Sequence, residues 1–247
     1  MSGAFDAVAA DLAAAIPPHL SGELSEEARS TTIATNTSLV ARRAELLVGL
    51  VRSATDLGDL GGRRVLDAGA GFGAIALYLA AEHGAEVVCV DMSRERLAVA
   101  EEVAAAHGLP IAVVAGRMER VARVVTGPFD LAVLNNSLVY LVDPATRAAA
   151  LAGVRSVLRP GGWAIKRDAN RLQPVDPFSR LPLVHLLAPQ RAVRAAARAG
   201  RHRSAVRMTS PAGARRELLD AGFANVRVVG SRLPVGRYHH VVGRRAA

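Results

Sequence analysis

The chain has one cysteine and one lysine in 247 residues, and aromatic side chains make up only 4% of it. Each scarcity excludes something. A lone cysteine cannot build a disulfide framework. Cys89 sits inside the apolar run Val87-Val88-Cys89-Val90, so it reads as a buried, inert thiol, which suits a reducing compartment. No apolar run reaches the roughly 18 residues that a spanning helix needs, so no transmembrane segment is expected. No basic residue precedes Arg29, while Asp6 and Asp11 occupy the region where a secretory signal is positively charged. The expected location is the cytoplasm. No spacing of Cys, His and acids suggests a metal site.

Charge of one sign is also missing locally. Residues 1–150 hold 12 arginines against 18 acids, a net of −6, whereas residues 151–247 hold 19 basic residues against 4 acids, a net of +15. No acid occurs between Arg191 and Arg216. Biased Arg and Ala usage accounts for much of the overall +9, so the high isoelectric point does not by itself indicate nucleic acid. The asymmetry between the halves is the more informative feature.

The residues present are organised around Arg64–Ala80, RVLDAGAGFGAIALYLA. This stretch reads as a strand, an acid (Asp67), a glycine turn (Gly69-Ala70-Gly71-Phe72-Gly73) and a helix. Glycines let the backbone turn sharply and approach a ligand closely. The helix that follows offers free N–H groups at its start. The spacing fits both G-x-G-x-G and the dinucleotide G-x-G-x-x-G/A pattern, and a tight turn without a ligand fits it as well. A second strand, Glu86–Asp91, ends in a carboxylate placed to accept hydrogen bonds from ribose hydroxyls. Alternatively, Asp91 helps Ser93 to start the next helix. Both NAD and S-adenosylmethionine (SAM) contain a ribose, so Asp91 does not choose between them.

VLDAGAGFG closely resembles the first motif of the class I SAM-dependent methyltransferases. VLRPGG ahead of a fifth strand resembles a later signature of that family. ARRELLDAGFANVRVVG followed by GRYHHVVGRR resembles its last helix and last two strands. The resemblance covers about residues 60–166 and 210–244. It implies an α/β, Rossmann-like, doubly wound sheet of seven mostly parallel strands, the last antiparallel, with helices on both faces. It implies SAM as cofactor, with Asp67, Gly69, Ala70, Gly71 and Gly73 around the methionine part and Asp91 and Met92 at the ribose end. Many members carry an acid for the adenine amine near positions 117–118; this chain has Arg117-Met118, which leaves Met118 to pack on the ring. Asn135, in the polar pair after the fourth strand, resembles the motif that faces SAM or substrate.

Elsewhere the chain predicts a helix over 3–16, stopped by Pro17-Pro18, and a short polar segment opened by Ser25. The Thr-rich stretch Thr31–Asn36 opposes helix. Thr37 or Ser38 is expected to cap a helix over Leu39–Arg52 with Leu39, Leu46, Leu47, Leu50 and Val51 on its apolar face. Asn36 and Arg42 there either approach the ligand or are ordinary surface residues. Further helices are expected over Ser93–His107, from Asp143-Pro144 to Leu158, and over Pro211–Asp220.

Between Arg167 and Pro211 the family pattern lapses, and prolines at 174, 177, 182 and 189 break the stretch. Arg191, Arg194, Arg198 and Arg201 are spaced to share one helical face, with Arg203 and Arg207 nearby. A solvated face is one reading, an anion site or membrane surface the other. His185, the only histidine of this stretch apart from His202, and Asp168 after the fifth strand are the candidate bases, and His239-His240 reads as structural. No catalytic residue is assigned.

The expected organisation is one domain: a helical cap (1–58), a SAM-binding core (59–166), a basic substrate-side insertion (167–210), and a C-terminal helix with a β-hairpin (211–247). The expected function is methyl transfer from SAM to a small-molecule or lipid- or glycan-linked acceptor, anionic so as to meet the arginine stripe. The rival readings are an NAD(P)-dependent oxidoreductase and a non-catalytic SAM-fold binding module. Nucleic acid is not an expected partner, since the basic patch lacks interleaved aromatics. Peripheral membrane contact is compatible with the leucines at 181, 183, 186 and 187.

Overall fold

The computed structural model describes residues 3–20, 26–201, 203–230 and 236–247. Ser25 and His202 lie outside the described residues. Three N-terminal helices come first: α1 (Ala4–Ala15), α2 (Glu26–Asn36) and α3 (Val40–Ala54). Strands and helices then alternate as β1 (Arg64–Ala68), α4 (Ala74–His83), β2 (Glu86–Asp91), α5 (Arg94–Ala106), β3 (Ile111–Ala115), α6 (Val121–Val124), β4 (Phe129–Asn135), α7 (Pro144–Val157) and β5 (Leu158–Ala169). The chain ends with α8 (Pro189–Arg198), α9 (Pro211–Asp220), β6 (Ala224–Val229) and β7 (Tyr238–Arg244).

The strands form one sheet in the order β3-β2-β1-β4-β5-β7-β6, and β7 alone runs antiparallel to its neighbours. This is the expected fold class. Right-handed crossovers carry the chain outward from β1 in two directions, so the order reverses between β1 and β4. Ligands in such sheets bind beyond the carboxyl ends at that reversal.

Alternation along the strands sorts the core into two layers. Val65, Cys89, Val133, Ile165 and Val242 face α1, α3, α4 and α5. Leu66, Val90, Ala132, Ala164 and Val241 face α7 and α9. Helix α4 is apolar on every side and buried from Ala74 to Ala80, because it lies between the sheet and the N-terminal helices. Ser93, Asp143 and Ser210 cap α5, α7 and α9 through their side chains.

Four local expectations need correction. The Thr-rich stretch is helical, because Thr32, Asn36 and Thr37 return their side-chain donors to the carbonyls of Ala28, Thr32 and Ile33. Those bonds also remove Thr37 as a cap, and α3 starts uncapped after Leu39. Leu39 and Leu46 are 54% and 49% exposed; Val40, Ala44, Leu47, Val48, Leu50 and Val51 form the buried stripe instead. The Arg159–Gly162 turn is absorbed into β5 as an irregularity, the pairing jumping from Phe129↔Leu158 to Leu131↔Trp163.

Candidate active site

The glycine turn is clipped to the end of β2. The Gly69 and Ala70 amides donate to the Val90 carbonyl at 2.7 and 3.1 Å, and the Gly71 amide donates to Asp91 Oδ2 at 2.9 Å. The three glycines do different work. A Cβ on Gly69 would lie 2.3 Å from Ser137 Cβ and 2.8 Å from Met118 Cε, so this position must be bare for the loop to pack. A Cβ on Gly73 would meet Ala100 of α5 at 2.6 Å. Gly71 is the exception: φ is +58° and nothing lies within 4 Å of its Cβ direction. The backbone there faces open space, as a loop does where a ligand passes against it.

Asp67 is the penultimate residue of β1, two positions before Gly69. It is buried, and among the described residues no donor engages its carboxyl. Burial, reinforced by the nearby Asp91 charge, pushes its pKa up to about 7. Asp91 is half-buried, with Oδ1 accepting from the Ser93 amide at 2.9 Å. Asp91 therefore does help Ser93 to start α5, and each of its carboxylate oxygens keeps a second lone pair. Met92 is 72% exposed beside it, and Met118 is buried against Gly69.

Sheet register extends this crevice across the reversal. Asn135 pairs with Arg167, and Arg167 pairs with His240, so the three lie in one row across β4, β5 and β7. Paired residues share a face, and alternation puts Asp67 and Asp91 on that same face. Arg167 donates to Asn135 Oδ1 at 3.1 Å and stacks over the Tyr238 ring at 3.7 Å. His240 is buried with both ring nitrogens unpartnered; burial and then Arg167 lower its pKa to about 4, so it is neutral. Arg43 of α3 feels Arg167 and Tyr238 electrostatically, while donating to the carbonyls of Leu39 and Thr35. The crevice is thus polar in the electrical sense: acids at β1 and β2, guanidinium and imidazole at β5 and β7.

Several sequence candidates fall elsewhere. Arg42 is exposed and Asn36 is bonded to its own helix; the neighbouring Arg43 is the one turned toward Arg167. Asp168 points to the opposite sheet face, where Lys166 Nζ lies 3.1 Å from its Oδ2. Lys166 also binds Glu217 at 2.8 Å, and Glu217 is gripped twice by Arg147. His185 is buried under residues 171–187, its Nε2 against the Arg171 carbonyl at 3.1 Å. Arg203 leaves the stripe altogether: it is buried and paired with Asp176 at 3.1 Å. Arg201 lies beyond the end of α8. Arg191, Arg194 and Arg198 are exposed on α8, whose inner face is Ala192 and Ala196. His240 and Arg43 were not singled out by the sequence; only the long-range pairing of β5 with β7 could have marked His240.

A cleft of about 650 Å³ lined by Asp56, Trp163, Arg227 and Arg244 lies at the other end of the sheet, where β5 starts and β7 ends. Its position separates it from the crevice above the glycine turn. Among the described residues no helix is long and apolar enough to cross a membrane, and no group of acids, His and Cys is arranged to hold a metal.

Comparison with known proteins agrees with this geometry. Residues 65–162 match the family model described as a methyltransferase domain. A ubiquinone biosynthesis O-methyltransferase of Bordetella avium is 32% identical over 114 residues, which is 46% of this chain and 46% of that one. The chain therefore spans about half the length of the curated relatives it matches. The methyltransferase CcbJ of Streptomyces caelestis superposes with a TM-score of 0.59 at 20% identity, over 84% of this chain and 89% of that one. The cyclase SpnF superposes with a TM-score of 0.60 at 18% identity, over 98% and 93%. These two similarities are of fold. Residues 65–162, the central strands of this seven-stranded sheet, are thus similar to a methyltransferase domain, and that likeness supports a class I SAM-dependent methyltransferase with S-adenosylmethionine as cofactor.

Proposed function

We propose that the chain transfers a methyl group from SAM to an oxygen nucleophile on a small-molecule acceptor. The observation that carries this reading is the open crevice over Gly71, flanked by the buried Asp67 carboxyl and the Asp91 carboxylate at the reversal of strand order. Those groups fit SAM: Asp67 and the turn Gly69-Ala70-Gly71-Gly73 hold the amino-acid end, Asp91 takes the ribose hydroxyls, Met92 and Met118 flank the base, and Asn135 faces the reacting end. SAM when bound supplies an electrophilic methyl, which leaves the sulfonium as a new bond to the acceptor forms, yielding S-adenosylhomocysteine (SAH), methylated acceptor and a proton. The residues of the chain align the two reactants, exclude water and bias charge. Acids at the cofactor end suit a cation, and Arg167 and Arg43 suit an anion.

The acceptor, free or carried on a lipid, accordingly bears a carboxylate or ionised hydroxyl, with Arg167, His240 and Arg43 around it. Arginine pairs well with such groups. In this reading residues 1–58 cap the site, 59–166 bind SAM, 167–210 flank the acceptor side and 211–247 complete the sheet. A single cysteine kept as a buried free thiol supports a cytoplasmic setting.

Calorimetry with SAM, SAH, NAD and NADP tests the cofactor. Binding of NAD or NADP without SAH would overturn the assignment. The cyclase among the structural neighbours makes turnover a separate question from binding. A catechol carboxylate such as protocatechuate, compared with its uncharged amide, tests the acceptor half. Faster methylation of the carboxylate, lost in Arg167→Gln with SAH affinity kept, is expected. SAH binding without turnover of any hydroxylated acceptor favours the binding-module reading.

A further inference from the structure

Residues 171–207 form a lobe at the carboxyl ends of the strands. It leaves β5 at Asn170, which bridges to Thr209, so the lobe begins and ends beside the crevice. Short hydrogen bonds knit it together. Leu183 N donates to the Pro174 carbonyl at 3.0 Å, Asp176 N to the Leu181 carbonyl at 2.9 Å, and Arg171 Nη2 to the Leu186 carbonyl at 3.2 Å. Helix α8 packs directly on the Val184–Leu186 turn.

Its surface is unusual in two ways that coincide. Leu172, Val175, Leu183, Leu186 and Leu187 are each 44–55% exposed, five of the twelve exposed large apolar side chains among the described residues. Tyr140, 55% exposed, adjoins them through an edge contact with Phe178 at 6.3 Å. Around them stand exposed arginines: Arg171, Arg180, Arg191, Arg194, Arg198 and Arg207. The acids between positions 168 and 216 are Asp168 and Asp176, and both are buried and paired. The lobe therefore offers apolar side chains and positive charge with no exposed carboxylate of its own; from outside it, the exposed Asp143 lies close enough to Arg207 to interact with its charge.

We propose that this lobe docks on the surface of an anionic lipid bilayer, leucines entering the headgroup boundary and arginines meeting the phosphates. Each part has a physical reason. Exposed leucines clustered on one lobe would otherwise remain in water. Arginine stems lie along apolar surface while their heads reach phosphates. A basic patch is drawn to an anionic surface over about a Debye length. Tyrosine is at home at the interface. Nucleic acid would use the arginines but not the leucines, and the patch has no row of exposed aromatics on which bases stack. Docking would place the mouth of the crevice at the bilayer, within reach of an acceptor that partitions there.

The test is flotation of the full chain with vesicles of phosphatidylcholine alone and of phosphatidylcholine mixed with phosphatidylglycerol. Binding to the mixed vesicles and not to the neutral ones is expected, weakening as salt rises. Arg191→Glu with Arg194→Glu and Arg198→Glu should weaken it by at least roughly 100-fold, given about fivefold per surface arginine. Leu186→Ser with Leu187→Ser should weaken it by about tenfold or more, while leaving any binding to duplex DNA untouched. All of these positions are exposed, so thermal melting of the variants should match the wild type. Failure of the wild type to float with anionic vesicles overturns the proposal. Equal flotation of the leucine pair variant, or tighter binding to duplex DNA than to the vesicles, also overturns it. None of these readouts depends on methyl transfer.

Discussion

Asp91 Oδ2 accepts a hydrogen bond from the Gly71 amide at 2.9 Å, which ties the tip of the glycine turn to the end of the neighbouring strand. The residue proposed to hold the ribose also holds the loop beneath the methionine part. Asp91→Ala should therefore cost more than ribose contacts. Loss of charge-assisted hydrogen bonds of about 1.5–3 kcal/mol corresponds to roughly 10- to 150-fold in SAH affinity. A small fall in melting temperature should accompany it, because Gly71 and Ser93 lose their acceptor. Unchanged SAH affinity in the folded variant, read by calorimetry, would remove Asp91 from the site.

Two glycine substitutions should separate packing from binding. Gly69→Ala forces a methyl into Ser137 and Met118, so it should melt early, by about 1–3 kcal/mol, whether or not ligand is present. Gly71→Val points into open space and bears only the left-handed backbone penalty, of order 1–2 kcal/mol. Its SAH affinity should fall far more than its melting temperature. Equal SAH affinity in Gly71→Val would leave the turn as a purely structural feature.

Asp67 makes a pH prediction. Its folded pKa is about 7 against an ordinary 3.8, so the folded chain holds the proton more tightly across that window. Its contribution to stability therefore declines as pH rises from about 4 to about 7. Asp67→Asn removes this dependence, so the variant should gain on the wild type as pH climbs through the window. A cation at the site reverses the preference by favouring the carboxylate. SAM binding at about pH 6.5 should release a proton, visible as a dependence of calorimetric heat on buffer, and Asp67→Asn should abolish the release. A buffer-independent heat in the wild type would contradict the assignment.

His239 acts in the opposite direction. Burial, then the Lys166 charge, lowers its pKa from 6.5 to about 3, and both ring nitrogens lack partners. Its neutral form is the native one, so stability is lost as pH falls from about 6.5 toward 3, with a limiting slope of about 1.4 kcal/mol per pH unit. In His239→Gln that slope should disappear. Parallel stability curves for the two proteins between pH 4 and about 6.5 would contradict the burial of a neutral imidazole.

The sheet, the glycine turn and Asp91 were legible because their signals are local. Val87–Val90 announces a strand covered on both faces, and Gly69, Gly71 and Gly73 announce a turn that side chains would obstruct. What was not legible depends on partners distant in sequence. Arg203 looked like part of a solvated stripe until Asp176 was placed against it. The alignment of His240 with Arg167 and Asn135 arises only when β7 inserts beside β5. The helicity of Thr31–Asn36 went against propensity, since threonine and asparagine bonded back to their own turn. Leu39 and Leu46 were assigned to the core by spacing alone, and a small rotation of α3 exposed them.

Lys166, Glu217 and Arg147 bind a strand and two helices around one partly buried carboxylate, and Glu217 comes from α9, well past the end of the family match at Gly162. That dependence has a practical side. A fragment trimmed to the matched residues would leave the buried Arg147 without its counter-charge. One extended to the end of β5 would leave Lys166 with Asp168 but without Glu217, and an uncompensated buried cation such as Arg147 typically costs about 3–5 kcal/mol. Such fragments should be insoluble or molten rather than smaller methyltransferases. Supplied in trans, residues 210–247 would be the natural complement, so the position just before Ser210, the cap of α9, is the place to split the chain into halves that regain activity only on reassembly.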